Sequence, residues 1–476
     1  MYYYEVLIAD SKYHSSSALI YSSEESLQIL SIVTVPLRQR LATGFIIAET
    51  GKPNFTVKAV KALISKQPLP SHSLPAAQWI ASYYCSTIGE ALRQFAPSKP
   101  SVRKQQEVPA TGAEPEDLQL ELASPLTPDQ QQALSVIRKN PSTTILLHGD
   151  TGTGKTRVYL ELAKEVLAAG RSVILLTPEI SLTAQLLSVV KQSLRCPVFV
   201  LHSQLTVAQR KKVWMKILEA TEPVAVVGPR SALFAPITNP GLIIVDEAHE
   251  PSYKQDQSPS YSTVRVASQI GALTGAKVVL GTATPAVEDY FLATEKKAVV
   301  RMTQPARGIT YKITTEVIDM KNRSNFTKNP YLSNQFIDAI KKTLSANKQM
   351  MVYLNRRGSA RLILCSACGW QLLCPNCDIP LVYHGDEHLA RCHTCGITKS
   401  VPTACPDCRN SDIIYRSIGT KALTESLHRL FPNARINRFD SDNALGERLD
   451  ELYEIVRSGE IDILVGTQLL AKGLDL

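Results

Sequence analysis

The chain has 476 residues, more than one hydrophobic core accommodates and enough for about three domains. Its 44% hydrophobic content is that of ordinary soluble globular protein, and the absence of any run of roughly 18 uninterrupted apolar residues argues against a membrane span. A net charge of +9 suits an anionic partner such as nucleic acid, although a generally basic soluble protein has the same total.

The start, MYYYEVLIADSKYHSSS, lacks a basic segment followed by an apolar one, so a cytoplasmic location is expected rather than secretion. Residues 1–50 read as short alternating strands (EVLIA, SALIY, QILSIVTVPL, TGFIIAE), a small β-rich unit. Residues 74–96 carry apolar side chains at helical spacing, so we assign 1–98 to one domain. Residues 99–125, rich in Pro, Ser and charge, read as a linker.

From Leu126 to about 310, apolar runs (TTILLHG, SVILLTP, CPVFVLH, PVAVVGP, GLIIVDEAH, AKVVLGTATP) alternate with helical stretches. That alternation predicts a parallel α/β sheet. It resumes over 311–362 and 410–476, with a cysteine-rich insert at 363–409, and no internal repeat is evident. The expected fold class is α/β, with two such lobes (the second incomplete), a small β-rich N-terminal domain and an inserted metal module.

GDTGTGKT, running through Gly149, Asp150, Thr151, Gly152, Thr153, Gly154, Lys155 and Thr156, fits G-x-x-x-x-G-K-[ST] between a strand and a helix. Glycines let backbone N–H groups approach phosphate oxygens, Lys155 can reach the β/γ-phosphates of ATP, and Thr156 can ligate Mg²⁺. About ninety residues on, the buried run GLIIV ends in Asp246 and Glu247. Asp246 would hold the Mg²⁺, and Glu247 would orient and deprotonate the attacking water. His249 either couples this site to the GTATP run or is a satisfied loop histidine.

Eight of the ten cysteines lie between Cys365 and Cys408, as four Cys-x-x-Cys pairs, whereas Cys85 and Cys196 are isolated and read as inert thiols. Four soft ligands per tetrahedral Zn²⁺ imply two zinc ions. Fourteen residues separate Cys374/Cys377 from Cys392/Cys395, close to a zinc-ribbon gap, which leaves Cys365/Cys368 and Cys405/Cys408 for the other metal. Pairing in sequence order is also open, with only five residues between the first two knuckles. No coordination position is left over for catalysis in either case, so both ions are expected to be structural. The insert reads as having almost no hydrophobic core of its own, so folding is expected to require metal. His384, His388 and His393 could replace a thiolate but are not needed.

DEAH together with GTATP resembles superfamily 2 helicases, which place ATP between two RecA-like lobes. Gln130, in TPDQQQAL upstream of the phosphate loop, matches the glutamine with which such enzymes read adenine. TPEISLT, LHSQLT, GPRSALFAP, SYKQ, LNRRG and GTQLLAKGLD narrow the likeness to the primosomal protein N′ family of replication-restart helicases, over nearly the whole chain. The resemblance implies ATP-driven 3′-to-5′ unwinding, with binding of branched or forked DNA and of single-stranded DNA. The implied protein partners are other primosome proteins, single-stranded-DNA-binding protein and the loader of the replicative helicase, in a bacterial, nucleoid-associated setting. It implies the nested zinc pairing, an N-terminal domain for the DNA 3′ end, and a nucleotide-site role for Asp475. By the same matching, Arg38, Arg40, Arg230, Tyr253, Lys254, Arg356 and Arg357 are expected DNA contacts.

Three departures qualify this likeness. Only about thirty linker-like residues stand where the family has a winged-helix domain. The aromatic-rich loop keeps Tyr253 and Tyr261 but lacks a tryptophan near Pro259 and Ser260. The Q-x-x-G-R-x-G-R segment, which brings an arginine to the γ-phosphate, does not follow GLDL. Weak hydrolysis is therefore the expectation for this sequence, with a fork-binding, helicase-loading scaffold as the alternative reading. An RNA helicase or remodeller would share the lobes but leave the cysteine insert unexplained.

Overall fold

The computed structural model describes residues 1–9, 13, 17–97, 125–178, 189–201, 205–306, 314–320, 322–329, 331–354, 363–365, 367–384, 389–392, 394–411, 413–414, 419–439, 455–456 and 458–467. They form two compact units, Met1–Tyr311 and Lys312–Leu476. Among the described residues, no helix is long and apolar enough to cross a membrane.

The first unit begins with a six-stranded sheet of β1 (Tyr2–Ile8), β2 (Leu19–Ser23), β3 (Ile32–Leu37), β4 (Arg40–Thr50), β5 (Lys58–Ala59) and β6 (Ala62–Leu63). Its order is β5-β2-β1-β4-β3-β6. β3 and β4 pair antiparallel with Leu37 opposite Arg40, so Arg38 and Gln39 make a two-residue turn. Arg38 accordingly takes a positive φ of 54°. Alternation puts Tyr4, Val6, Val33, Val35 and Ile46 in one buried cluster and Leu7, Ile32 and Phe45 in another, so both faces of the sheet are covered.

The helical periodicity over 74–96 runs across a break. The structure has α1 (Ser73–Tyr83), then α2 (Ile88–Leu92), then a single 3₁₀ turn at Arg93–Phe95. Thr87 and Glu90 close a reciprocal capping box between them, satisfying the amides at the start of α2. That box starts a new helix where hydrophobic spacing alone would continue the old one.

A seven-stranded, wholly parallel sheet follows. In chain order its elements are α3 (Pro128–Lys139), β7 (Thr144–Gly149), α4 (Lys155–Ala168), β8 (Ser172–Leu176), β9 (Val198–Val200), α5 (Val207–Leu218), β10 (Ala225–Gly228), β11 (Pro240–Val245), α6 (Thr263–Thr274), β12 (Lys277–Thr282), α7 (Val287–Glu295) and β13 (Val299–Met302). The strand order is β13-β7-β12-β11-β8-β10-β9. β8 and β11 are buried along their whole lengths, as strands covered on both faces must be. Because β7, β11 and β12 are parallel neighbours, Gly149, Asp246 and Thr282 arrive together at one edge.

The N-terminal helices share a core with this sheet. Trp214 Nε1 donates to Phe95 O at 3.0 Å. Phe95, Phe234 and Tyr261 stack edge to face, with centroid separations of 5.0 and 5.1 Å.

The second unit holds α8 (Asn334–Ser345) and β14 (Met350–Tyr353), then the short strands β15 (Leu364–Cys365), β16 (Val382–His384), β17 (Leu389–Arg391), β18 (Thr398–Ser400) and β19 (Ile413–Ile414), then α9 (Thr420–Leu430), β20 (Ile436–Phe439) and β21 (Ile463–Gly466). β14, β21 and β20 form a parallel three-stranded sheet. Ile337, Ile340, Val352, Leu423, Leu427, Ile463 and Val465 are buried around it. The cysteine insert has a small core of Ile363, Leu372, Leu381 and Ala390 together with Cys374 and Cys392. This small cluster agrees with the expectation of almost no core of its own: pairing of β16 with β17, of β17 with β18 and of β15 with β19 brings these few apolar groups together.

Candidate nucleotide and metal sites

The run Gly149–Thr156 turns from β7 into α4 through two left-handed glycines, Gly152 at φ 81° and Gly154 at φ 80°. Those angles turn the chain back on itself at no steric cost. Lys155 is nearly buried, and its Nζ donates to Gly149 O at 2.8 Å and Asp150 O at 3.3 Å, so the amine is held inside the loop. Thr153 Oγ1 also donates to Asp150 O, and Thr156, the second residue of α4, is half-buried. The loop, its lysine and the start of α4 form the kind of cradle a phosphate group needs.

Gln130 abuts this loop. It is buried, its Oε1 accepts from Thr127 N, and a Cβ on Gly154 would lie 2.3 Å from its Nε2. The amide oxygen is therefore engaged in capping α3 rather than turned to an open edge. Next to it, Asp129 Oδ2 accepts from the amides of Thr303 and Gln304, and Ala306 N donates to Gly152 O. Residues 303–306 thus lie against the phosphate loop, an arrangement no motif signalled.

Asp246 follows β11 directly. Its amide donates to Leu176 O, its carbonyl accepts from the Tyr253 hydroxyl at 2.7 Å, and its Oδ1 accepts from the Tyr159 hydroxyl at 2.9 Å. Burial, and then the charge of Glu247, push its carboxyl up to about 6, with Tyr159 and Lys155 working in the opposite direction. Glu247 sits at φ 46°, a left-handed backbone rare for a non-glycine residue, and its carboxyl is also pushed up, first by burial. His249 Nδ1 lies 2.7 Å from Thr282 Oγ1 and 3.4 Å from Glu247 Oε2. The histidine therefore touches both the acidic pair and the GTATP run. Tyr159 escaped the sequence reading because a tyrosine four residues past Lys155 looks like the buried stripe of an amphipathic helix.

The expected DNA contacts divide. Arg38 and Arg40 are exposed at the β3–β4 turn. Tyr253 is only 2% exposed and Tyr261 likewise 2%, so neither presents a face for a base to stack on. Both belong instead to the core under the loop, drawn in by the Asp246 carbonyl and the Phe234 ring. Arg230 Nη1 donates to Ser252 O and Lys254 O, which pins that loop from beneath. Lys254 donates to Ser260 O and rests 5.0 Å over the Tyr84 ring of the N-terminal region. Arg356, Arg357, Asp475, residues 99–124 of the linker and residues 179–183 of the TPEISLT segment lie outside the described residues.

Two four-cysteine clusters form, Cys365/Cys368/Cys405/Cys408 and Cys374/Cys377/Cys392/Cys395, with all sulfurs of each within 4.8 Å of one another. The knuckles are nested, and the sequence-order pairing is not the one adopted. Sulfur separations of 3.5 to 3.6 Å match the edge of a tetrahedron of roughly 2.3 Å zinc–sulfur bonds, and all eight thiols are free of disulfides. The donor sets fit Zn²⁺. Each knuckle also repeats one turn: the first cysteine's carbonyl accepts from the residue four on, namely Gly369, Asp378, Gly396 or Arg409. All four of those residues have positive φ. This backbone repeat was invisible in the sequence because two of its four left-handed positions are not glycine.

Comparison with known proteins follows these regions. A 3′DNA-binding domain model of PriA matches residues 8–97, a DEAD/DEAH box helicase model matches 127–291, and a PriA DNA helicase Cys-rich region model matches 374–399. Replication restart protein PriA of Treponema pallidum is 35% identical over 93% of this chain and 67% of that protein. The Rickettsia prowazekii protein of the same name is 33% identical over 98% of this chain and 72% of its own length. That of Bacillus subtilis is 37% identical over 74% of this chain, and the match spans 44% of its own length.

Proposed function

Since the chain belongs to the PriA family of replication-restart helicases, we propose that it couples ATP hydrolysis to 3′-to-5′ unwinding of DNA at stalled or branched forks, and that it promotes primosome assembly there. The observation that carries this is the convergence of Lys155, Asp246 and Glu247 at one edge of a parallel sheet, beside a loop with two left-handed glycines.

Bound Mg²⁺–ATP supplies a transferable phosphoryl group with its charge partly neutralised. The chain's own groups do the rest. Lys155 leaves the Gly149 and Asp150 carbonyls for phosphate oxygens. Thr156 and Asp246 hold the cation. Glu247, made more basic by burial, takes a proton from water. His249 carries the state of Glu247 to Thr282 and the GTATP run. The two cysteine clusters each hold one structural Zn²⁺. The basic β3–β4 turn, with Arg38 and Arg40, meets the phosphates of a DNA 3′ end. Single-stranded-DNA-binding protein, other primosome proteins and the helicase loader are the protein partners this reading entails.

Strand displacement on forks with a single-stranded tail of either polarity tests it. The expected result is ATP-dependent unwinding from the 3′ tail, abolished by Lys155→Ala while fork binding persists. Unwinding from the 5′ tail, or equal loss of fork binding in Lys155→Ala, would contradict it.

A further inference from the structure

Gly281, the first residue of the GTATP run, lies at the end of β12, where a side chain would have nowhere to go. A Cβ there would fall 1.5 Å from the Tyr159 hydroxyl oxygen and 2.7 Å from Cζ. Tyr159 is fully buried, and its hydroxyl donates to Asp246 Oδ1 at 2.9 Å. A buried phenol needs a partner for its O–H, and this one has the carboxylate. Resting on the nucleotide-site reading, we propose that Tyr159 is a positioning residue for Asp246. Its hydroxyl fixes the carboxylate that holds the cation of a metal–nucleotide, and Gly281 is glycine so that the hydroxyl can reach it.

The placement explains more than packing. Lys155 and Tyr159 are four residues apart on α4, so they share one face of the helix. One rigid element therefore sets both the amine for the phosphates and the hydroxyl for the acid. The main chain of Asp246 is held by Leu176 O and the Tyr253 hydroxyl, which leaves the side-chain torsions to be set. Tyr159 does this as a donor, so the carboxylate keeps lone pairs for a cation. Partners of this kind behind a metal ligand are worth about 10–100-fold in metal affinity.

The test is a Mg²⁺ titration of binding of a fluorescent ATP analogue to the full chain, compared with binding in EDTA. Tyr159→Phe keeps the ring and removes only the hydroxyl. It should raise the Mg²⁺ midpoint about tenfold and leave EDTA-state nucleotide binding unchanged, with a lower thermal midpoint because the buried Asp246 carboxylate loses a donor. Gly281→Ala, which pushes the hydroxyl aside while keeping the phenol, should raise the midpoint as well. A wild-type midpoint in Tyr159→Phe would overturn the proposal. So would a loss of EDTA-state binding equal to the Mg²⁺-state loss, since that marks a general packing defect. Lys155→Ala reports on the underlying reading: if the wild type shows no nucleotide-dependent signal, or if Lys155→Ala binds the nucleotide as the wild type does, the nucleotide site fails and this proposal with it.

Discussion

Asp246 is a group whose ionised form the empty protein tolerates poorly. Its folded value of about 6 lies above the ordinary 3.8, because burial and then Glu247 disfavour the charge. With the folded value raised, the penalty is absent below about pH 4, grows as pH rises towards 6, and is complete above that. Two pH units correspond to about 3 kcal/mol, so Asp246→Asn should stabilise the metal-free, nucleotide-free protein by about 2–3 kcal/mol at pH 7.5. Denaturant unfolding of both forms in EDTA checks this, with the difference vanishing near pH 4. An equal or lower stability of the variant at pH 7.5 would show that the carboxyl is not strained. That Lys155, Asp246 and Glu247 lie together was legible in the sequence, because a phosphate loop after one strand and an acidic pair after a parallel one put them at the same end of a sheet. Tyr159 and the burial of Tyr253 were not, because both depend on which strands lie side by side. The family likeness made Tyr253 an expected DNA contact, whereas its hydroxyl donates to the Asp246 carbonyl and holds the ring inside.

At the scale of elements, the four knuckles decide the insert. Its few buried apolar groups form a core too small to stand alone, and two of them are themselves metal-cluster cysteines. The cysteine sets should therefore hold two Zn²⁺, and their removal should unfold the insert without disturbing the phosphate loop. Metal analysis, followed by limited proteolysis after chelation with a thiol reagent, tests this. The expected pattern is two zinc ions per chain and new cleavage confined to about residues 363–411, with nucleotide binding retained. One ion per chain, or loss of nucleotide binding on chelation, would contradict it. The pairing was half-readable: the fourteen-residue gap pointed to the inner set, but spacing alone left sequence-order pairing open. The break between α1 and α2 was fully readable in retrospect. Thr87-x-x-Glu90 is a helix-start signature inside a run whose periodicity continues across it.

At the scale of the whole molecule, the β-rich N-terminal region and the first parallel sheet make a single unit. Trp214, Phe95, Phe234 and Tyr261 form its shared interior, and Tyr84 accepts from Ser262 N while Lys254 lies over its ring. Packed side chains thus run without a gap from the helices of the N-terminal region, through the loop at 250–262, to Asp246. Alternating apolar runs made both β-rich and α/β regions legible, yet nothing in the composition told that they would share a core. Tyr84, Phe95 and Trp214 look like ordinary apolar residues of separate segments. The proposed function makes this unit part of a nucleotide motor that answers to fork DNA. The most direct measurement is the ATP hydrolysis rate with and without forked DNA bearing a 3′ leading-strand end, for the wild type and Glu247→Gln. The expected result is stimulation by the fork over the chain's own DNA-free rate in the wild type, and none in Glu247→Gln despite retained nucleotide and fork binding. Hydrolysis that ignores the fork, or that survives in Glu247→Gln, would contradict it.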